Sequence, residues 1–435
     1  MLSDVDKSPS SESRLAAFLS PIRRSKAFTY LWLGQWIAML GSSVSVLILP
    51  IVVYSLTDSS TALGLAMTCY MLPNILALPF AGLIVDKTDR LRLVMISNSA
   101  RLLIMLLAAV AIFSGTLTLE RLYIGLIFYG MMEGIFNPAY SALRAEVFTP
   151  DIRNAANALS QMSIQGVRLL GPALGGMLVN AASPGAGFAL DSLTYLISLI
   201  CFAMLGRVLM KQKKAKTELA PASPIDQNVK VKVLSGFGTE FMEGVRVLSK
   251  LPWLWITIVA FSLLNICFTG IIAVLVPWLF KVHHGLDTSV YGIAMAGTAV
   301  GAIAAAVLFG AKKDWKRRGL VAYGGALLGG VALLLLSVIT WVPGLVMAMM
   351  LEGFGMMMFM IIWEISLQEL VPTESFGRVA SLDLLGSFAL LPVGYLLVGY
   401  LADTIGGIPT IAIFASLGIV ILLTALCSPH IRKFN

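Results

Sequence analysis

Long apolar runs alternate with short polar interruptions from the amino terminus onward. A helix needs about 20 residues to cross a hydrocarbon layer of about 30 Å. Runs of that length fall near 28–56, 62–85, 93–114, 119–141, 155–182 and 186–209. After a polar interval they resume near 253–280, 288–311, 317–339, 343–367, 378–402 and 406–428. Six runs, a gap and six more predict an all-α membrane protein of twelve transmembrane helices. The weakest separations lie between the fifth and sixth runs and between the ninth and tenth. The implied organisation is a tail (1–26), a six-helix bundle (27–210), a linker (211–252), a second bundle (253–428) and a short tail (429–435). The linker reads as a flexible tether ending in a short amphipathic segment around 238–250.

Composition removes the soluble alternatives. Hydrophobic residues make up 58% of the chain and charged residues 12%, against roughly 45–50% and 25% in soluble domains. A water-surrounded chain of 435 residues has no interior large enough to hide that much apolar surface. The formal charge of +8 points to orientation, not to a nucleic-acid partner. Lysine and arginine crowd into the amino-terminal tail, the second-to-third and fourth-to-fifth connections, the central linker, 312–318 and the carboxy terminus. Arg121 and Lys281 fall on the other side, and Arg101 and Arg168 fall within apolar runs. By the positive-inside rule both termini and the linker are cytoplasmic, as in a bacterial-type inner (plasma) membrane. The patch Leu15–Leu19 is too short for the core of a cleaved leader.

Cys69, Cys201, Cys267 and Cys427 sit in apolar runs without disulfide or metal-site spacing, and His283, His284 and His430 lie outside the runs. The chain carries no phosphate-binding Gly-x-x-x-x-Gly-Lys-Ser/Thr loop and no convergent catalytic set. The expectation is a protein that is not an enzyme and has no cofactor or metal.

The halves echo one another. "LRAEVFTPDIRNAANAL" (143–159) is similar to "LQELVPTESFGRVASL" (367–382), and "GPALGGML" (171–178) pairs with "LPVGYLLVGYLAD" (391–403) about half a chain away. A duplicated six-helix unit places a substrate site between pseudo-symmetric bundles near the midplane.

Between the second and third runs stands "GLIVDKTDRLRL" (82–93). It resembles the signature loop of the major facilitator superfamily, Gly-x-Leu-Ala-Asp-Arg-x-Gly-Arg-Arg/Lys-x-Leu. Gly82, Asp86, Lys87, Arg90 and Leu93 fit; Ile84, Val85 and Leu91 depart, and Asp89 replaces the second glycine. An acidic residue there is similar to the drug-efflux branch that includes macrolide-efflux pumps and enterobactin exporters. "GVRLLGPALGGML" (166–178) resembles that superfamily's antiporter motif through Gly166, Gly171, Pro172, Gly175 and Gly176. The resemblance implies two six-helix bundles rocking about a cavity lined by the first, fourth, seventh and tenth helices. It also implies a latch between Asp86 and the start of the eleventh helix near Gly377 and Arg378, with Glu146 as acceptor for Arg90. One departure stands out: Gly130 and Glu133 occupy the positions where the family often has an arginine and a glutamine in the fourth helix.

Ionisable groups in apolar runs are costly and turn towards a cavity or a partner. Glu133 and Glu352 are therefore the proton-coupling candidates; pairing with Arg101 or Arg168 as fixed ion pairs is the alternative. Met356, Phe359 and Trp363 follow Glu352 on one helical face, suited to a soft amphipathic or cationic ligand. Gln35, Met39, Asn137, Asn265 and Thr269 are further cavity candidates, each equally suited to a helix–helix hydrogen bond. Asp191 and Asp383 read as structural.

The leading functional expectation is a secondary active transporter that exports small amphipathic, drug-like compounds by proton antiport through alternating access. A lysolipid, siderophore or metabolite carrier on the same scaffold, and a membrane sensor without turnover, stay open. The expected partners are a small-molecule substrate, protons and membrane lipid, with the chain a monomer.

Overall fold

The structure is a computed structural model, and it describes residues 19–219, 245–246, 248–309, 317–371 and 376–432. Among the described residues, twelve long helical segments cross the molecule; the first six are α1 (Lys26–Leu56), α2 (Ser60–Lys87), α3 (Arg90–Phe113), α4 (Leu119–Val147), α5 (Arg153–Ala181) and α6 (Pro184–Leu219). The second set is α7 (Pro252–Gly270), α8 (Thr288–Phe309), α9 (Arg318–Leu335), α10 (Val342–Leu370), α11 (Phe376–Phe388 and Leu391–Ile405) and α12 (Gly407–Cys427). Among the described residues there is no strand. Eleven segments are long and apolar enough to cross a membrane by length and composition. The exception is α4, whose hydropathy is lowered by Glu133, Asn137 and the tyrosines at 123, 129 and 140.

Local chemistry sets the helix starts. Ser59, Asp89 and Thr118 each accept a hydrogen bond from the backbone N–H three residues on, filling N-cap positions of α2, α3 and α4. Asp89, the departure from the signature loop, is thus a cap on α3. Prolines disturb two helices. Pro277 has no N–H to give to the preceding turn, and α7 continues past Gly270 through π-helical turns at Ile271–Leu275 and Leu279–His283. Pro392 sits at the start of the second half of α11, which is interrupted after Phe388.

Most expected spans coincide with helices. α6 differs: it runs to Leu219, beyond the expected boundary at 210, because the lysine- and alanine-bearing sequence after Met210 has good helix propensity. Most of the expected linker, including 220–244, lies outside the described residues, as do residues 310–316 and the chain ends.

In the first bundle α1 packs on α5 and α6, α2 on α4, and α3 on α4 and α6. In the second α8 packs on α10, α9 on α10 and α12, and α7 on α11 and α12. The bundles meet along two lines, α5 against α8 and α2 against α11. Those lines exchange under the pseudo-twofold that relates the halves.

Contacts between the bundles gather at the end remote from the termini. Gly64 and Gly399 bring α2 and α11 together, against the backbones of Tyr395 and Ser60. Gly176 and Gly292 do the same for α5 and α8. Asp403 on α11 caps α2 across the gap, accepting from Ser59 Oγ at 2.6 Å and from the N–H groups of Ser60 and Thr61 at 2.7 and 2.9 Å. Tyr54 donates to the Val274 carbonyl at 3.0 Å, and Thr68 to the Pro392 carbonyl at 3.0 Å. Near the termini, by contrast, Gly82 on α2 has no neighbour within 4 Å, and neither has Gly166 midway along α5. Among the described residues the bundles are joined at the far end, with no hydrogen bond or glycine contact between them at the termini end.

Candidate transport site

The opening between the bundles leads to a cavity of about 640 Å³. One face of α1 supplies Gln35, Met39, Ser42 and Val46, at intervals of four, three and four residues. Opposite them stand Glu133, Phe136 and Asn137 of α4, Gln165 and Arg168 of α5, and Met295 and Thr298 of α8.

Glu133 is half-buried in this wall, and its Oε2 accepts from the Tyr70 hydroxyl at 2.9 Å. Neither Arg101 nor Arg168 is ion-paired with it among the described residues. The fixed pairs anticipated as the alternative for Glu133 and Glu352 are not formed there.

Arg101 enters the cavity wall from α3, only 6% exposed. Its Nη2 donates to Asn98 Oδ1 at 2.5 Å, and Asn98 in turn donates to Ser198 at 3.1 Å. Aromatic rings enclose the guanidinium: Phe136 at 4.0 Å, Tyr195 at 5.1 Å and Tyr129 at 6.0 Å from their centroids. Cation–π attraction offsets part of the desolvation of a charge held in an apolar medium. Asp191, fully buried, accepts from Ser45 at 2.6 Å and interacts electrostatically with Arg101. Tyr195 joins the two regions, its hydroxyl 2.8 Å from both Ser42 and Tyr129. Three buried polar atoms on the cavity wall have no protein partner: Gln35 Oε1, Arg101 Nε and Thr298 Oγ1. Buried polar atoms are rarely left unsatisfied, and a wall that leaves three in one cavity is chemically suited to a polar ligand.

A second cavity of about 620 Å³ penetrates the first bundle between α1, α2, α3 and α4. Its walls are mainly aliphatic and aromatic, and it meets the central cavity at Ser42, Val46, Tyr129 and Glu133, which line both.

The expected site residues divide into two groups. Gln35, Met39, Glu133 and Asn137 line the central cavity. The face of α10 bearing Glu352, Met356, Phe359 and Trp363 does not. Phe359 stacks on Phe261 at 3.7 Å, and Trp363 packs on Trp253 and donates to Asp383 at 3.3 Å. Glu352 is 4% exposed, inside the second bundle where α10 crosses Gly329. Helical spacing groups these four correctly, but neighbouring helices decide where the face points, and α10 turns it towards α7 and α9. Asn265 and Thr269 are also held within the second bundle: Asn265 donates to the Ser387 carbonyl at 2.8 Å, and Thr269 to Asn265 at 3.3 Å.

In the signature loop, Arg90 lies 3.5 Å from Glu146, both about half exposed. Lys87 is exposed at the end of α2. The side chains of Asp86 and Arg378 lie outside the described residues, so the expected latch is not described. In the antiporter-like stretch, Gly171 abuts Ser43 and Gly175 abuts Val44, drawing α5 onto α1. Gly176 abuts α8, and the Pro172 carbonyl lies against Gly292.

Sequence reasoning passed over Tyr70, Gln165 and Thr298. Nothing local distinguishes a tyrosine or threonine that faces a cavity from one that bridges helices. Arg101 carried a signal, a charge within an apolar run, but its aromatic cage comes from three other helical positions.

The chain is similar to several transporters. The staphyloferrin A transporter of Staphylococcus aureus is 25% identical over 391 residues, covering 88% of this chain and 89% of that protein. Multidrug resistance protein 1 of Bacillus subtilis is 25% identical over 294 residues, covering 67% and 68%. Among solved structures, a peptide transporter in complex with sulfate superposes with a TM-score of 0.68 at 15% identity, covering 94% of this chain and 95% of that one. A bacterial homologue of the iron transporter ferroportin in an inward-facing state gives 0.66 at 18% identity, covering 92% and 98%. The family model for the Major Facilitator Superfamily matches residues 31–389. Its twelve helices, its two bundles and this match over most of its length make the chain a member of the major facilitator superfamily, a multi-pass membrane transporter and not an enzyme.

Proposed function

We propose that the chain exports small amphipathic organic compounds by proton antiport, with Glu133 as the group that exchanges proton for substrate. The observation that carries this reading is the position of Glu133: a carboxylate with no basic group within 4.0 Å among the described residues, on the wall of the central cavity, held by the Tyr70 hydroxyl. An unneutralised carboxylate is costly to occlude in a low-dielectric interior. A proton or a substrate group that donates to the carboxylate lowers that cost. Two ligands that satisfy the same group exclude one another, and this exclusion makes exchange obligatory. The open end becomes the cytoplasmic end if lysine and arginine follow the positive-inside rule, and substrate then enters from the cytoplasm or inner leaflet. The amphipathic character of the cargo is supported by the mixture of polar and apolar groups on the cavity wall.

Energetically, one proton crossing about 100 mV supplies roughly 2.3 kcal/mol. A tenfold proton gradient adds about 1.4 kcal/mol. Their sum sustains a gradient of some hundreds-fold for a neutral solute.

The similarity to a staphyloferrin A transporter favours a second reading, a siderophore or metabolite carrier that uses the same cavity. Flux into proteoliposomes with and without an imposed pH gradient tests both. Glu133→Gln is expected to abolish gradient-driven flux while leaving a folded protein. Gradient-driven flux at the wild-type rate in that variant removes Glu133 from the mechanism.

A further inference from the structure

Two full charges on the central cavity have no ion-pair partner within 4.0 Å among the described residues. Arg168 projects exposed from α5, with no carboxylate within 4.0 Å. Glu133 projects from α4, accepts from the Tyr70 phenol and feels the Arg101 charge without an ion pair to it. The remaining charge, Arg101, interacts with both Glu133 and Asp191 and sits inside its ring cage. The cavity therefore offers one cation and one anion from different helices, unpaired with each other. A cationic ligand satisfies Glu133 and is repelled by Arg168, and an anionic ligand meets the reverse. An occupant that satisfies both walls carries both signs.

The second cavity adds an apolar requirement. It adjoins the first at Tyr129 and Glu133, which line both, and Met67, Ile104, Met105 and Ala108 form part of its interior. Its lining also includes Leu107, Ile124 and Phe128, apolar residues each more than half exposed on α3 and α4. A ligand whose head sits at Glu133 thus has an apolar chamber directly behind it.

We infer that the transported compound is a zwitterionic amphiphile with a single apolar tail. Its ammonium group meets Glu133, its carboxylate or phosphate meets Arg168, and its tail occupies the second cavity, entered between α3 and α4. The inference rests on the proton-exchange reading above and narrows its substrate. It keeps the sign of the exchange, because an ammonium and a proton compete for the same carboxylate.

The test uses the full-length protein in lipid nanodiscs and in proteoliposomes, with probes that share a ten-carbon tail. Decyl phosphoethanolamine and Nε-decanoyl-lysine are zwitterions that differ in the anion, so their ratio separates a phosphate head from an amino-acid head. Decylammonium and decyl phosphate each carry one sign, and butyl phosphoethanolamine shortens the tail. At least one zwitterion is expected to bind tenfold or more tightly than either singly charged probe. Arg168→Gln is expected to reduce that preference to the level of decylammonium, and Arg168→Lys to restore most of it. Ala108→Phe, which fills the tail chamber, is expected to lower the decyl-to-butyl affinity ratio at least tenfold.

Decylammonium binding as tightly as both zwitterions overturns the inference, as does an unchanged preference in folded Arg168→Gln protein. Should Arg168→Gln not fold, an unchanged decyl-to-butyl ratio in Ala108→Phe overturns it equally. Gradient-driven flux of decylammonium without zwitterion preference removes the inference and leaves proton exchange intact. Absence of gradient-driven flux for every probe removes both.

Discussion

Replacing Gly292 with alanine tests whether the closed end is a conformational gate or a permanent seam. A Cβ at this position falls 2.5 Å from the Pro172 carbonyl oxygen and 3.2 Å from Gly176 Cα. Ordinary contact begins near 3.4 Å, so α5 and α8 must separate by about 1 Å. Both obstacles are backbone or backbone-borne, and no flexible side chain can turn aside. Overpacking of this kind costs about 1–3 kcal/mol. If the contact exists only while this end is closed, the cost falls on one conformer, and the population shifts by about 5- to 150-fold towards the other. The matched control is Gly301→Ala. Its Cβ would meet the Met350 backbone within the second bundle, a contact that rigid-body rocking preserves. Spin labels at Ala182 and Asp287, exposed at the adjoining ends of α5 and α8, report the separation by double electron–electron resonance. Gly292→Ala is expected to populate a longer distance with little loss of thermal stability, and Gly301→Ala to lose stability at an unchanged distance. The reasoning is refuted if both variants give the wild-type distribution, or if both change it alike.

Other outcomes follow from the same geometry. Asp403→Ala removes the cap that α11 places on α2; losing about 0.5–2 kcal/mol from the closed end is expected to increase maleimide labelling of a cysteine at Thr61. Arg101→Met leaves Asp191 buried without its counter-charge and is expected to cost about 3–5 kcal/mol. Pairing it with Asp191→Asn should recover much of that loss in detergent thermal melts, and strict additivity would show that the two do not communicate. Glu146→Gln breaks a pair that is about half exposed at both ends and is expected to change stability by less than about 1 kcal/mol, measured as the midpoint of thermal unfolding.

The amino-acid sequence by itself determined the number of helices, their order and the division into two related bundles. Number and order follow from run length against membrane thickness, a constraint that acts on every segment separately, and the division follows from the polar interval and the echo between the halves. It also identified charges that an apolar medium makes conspicuous, and Arg101, Arg168, Glu133 and Glu352 were all visible as such. Which of them share a cavity was decided by tertiary structure alone. Glu133 and Glu352 occupy comparable positions in α4 and α10, yet the former faces the opening between the bundles and the latter is packed inside the second bundle. Periodicity states which residues lie on a common helical face, and the rotation of the whole helix about its axis is fixed by its neighbours. For α10 those are α8 and α9, which approach closely at Gly301 and Gly325. The aromatic cage of Arg101, the Tyr70 bond to Glu133 and the apolar chamber behind it arise from residues far apart in the chain. No local pattern encodes such meetings, because they exist only once the helices have packed.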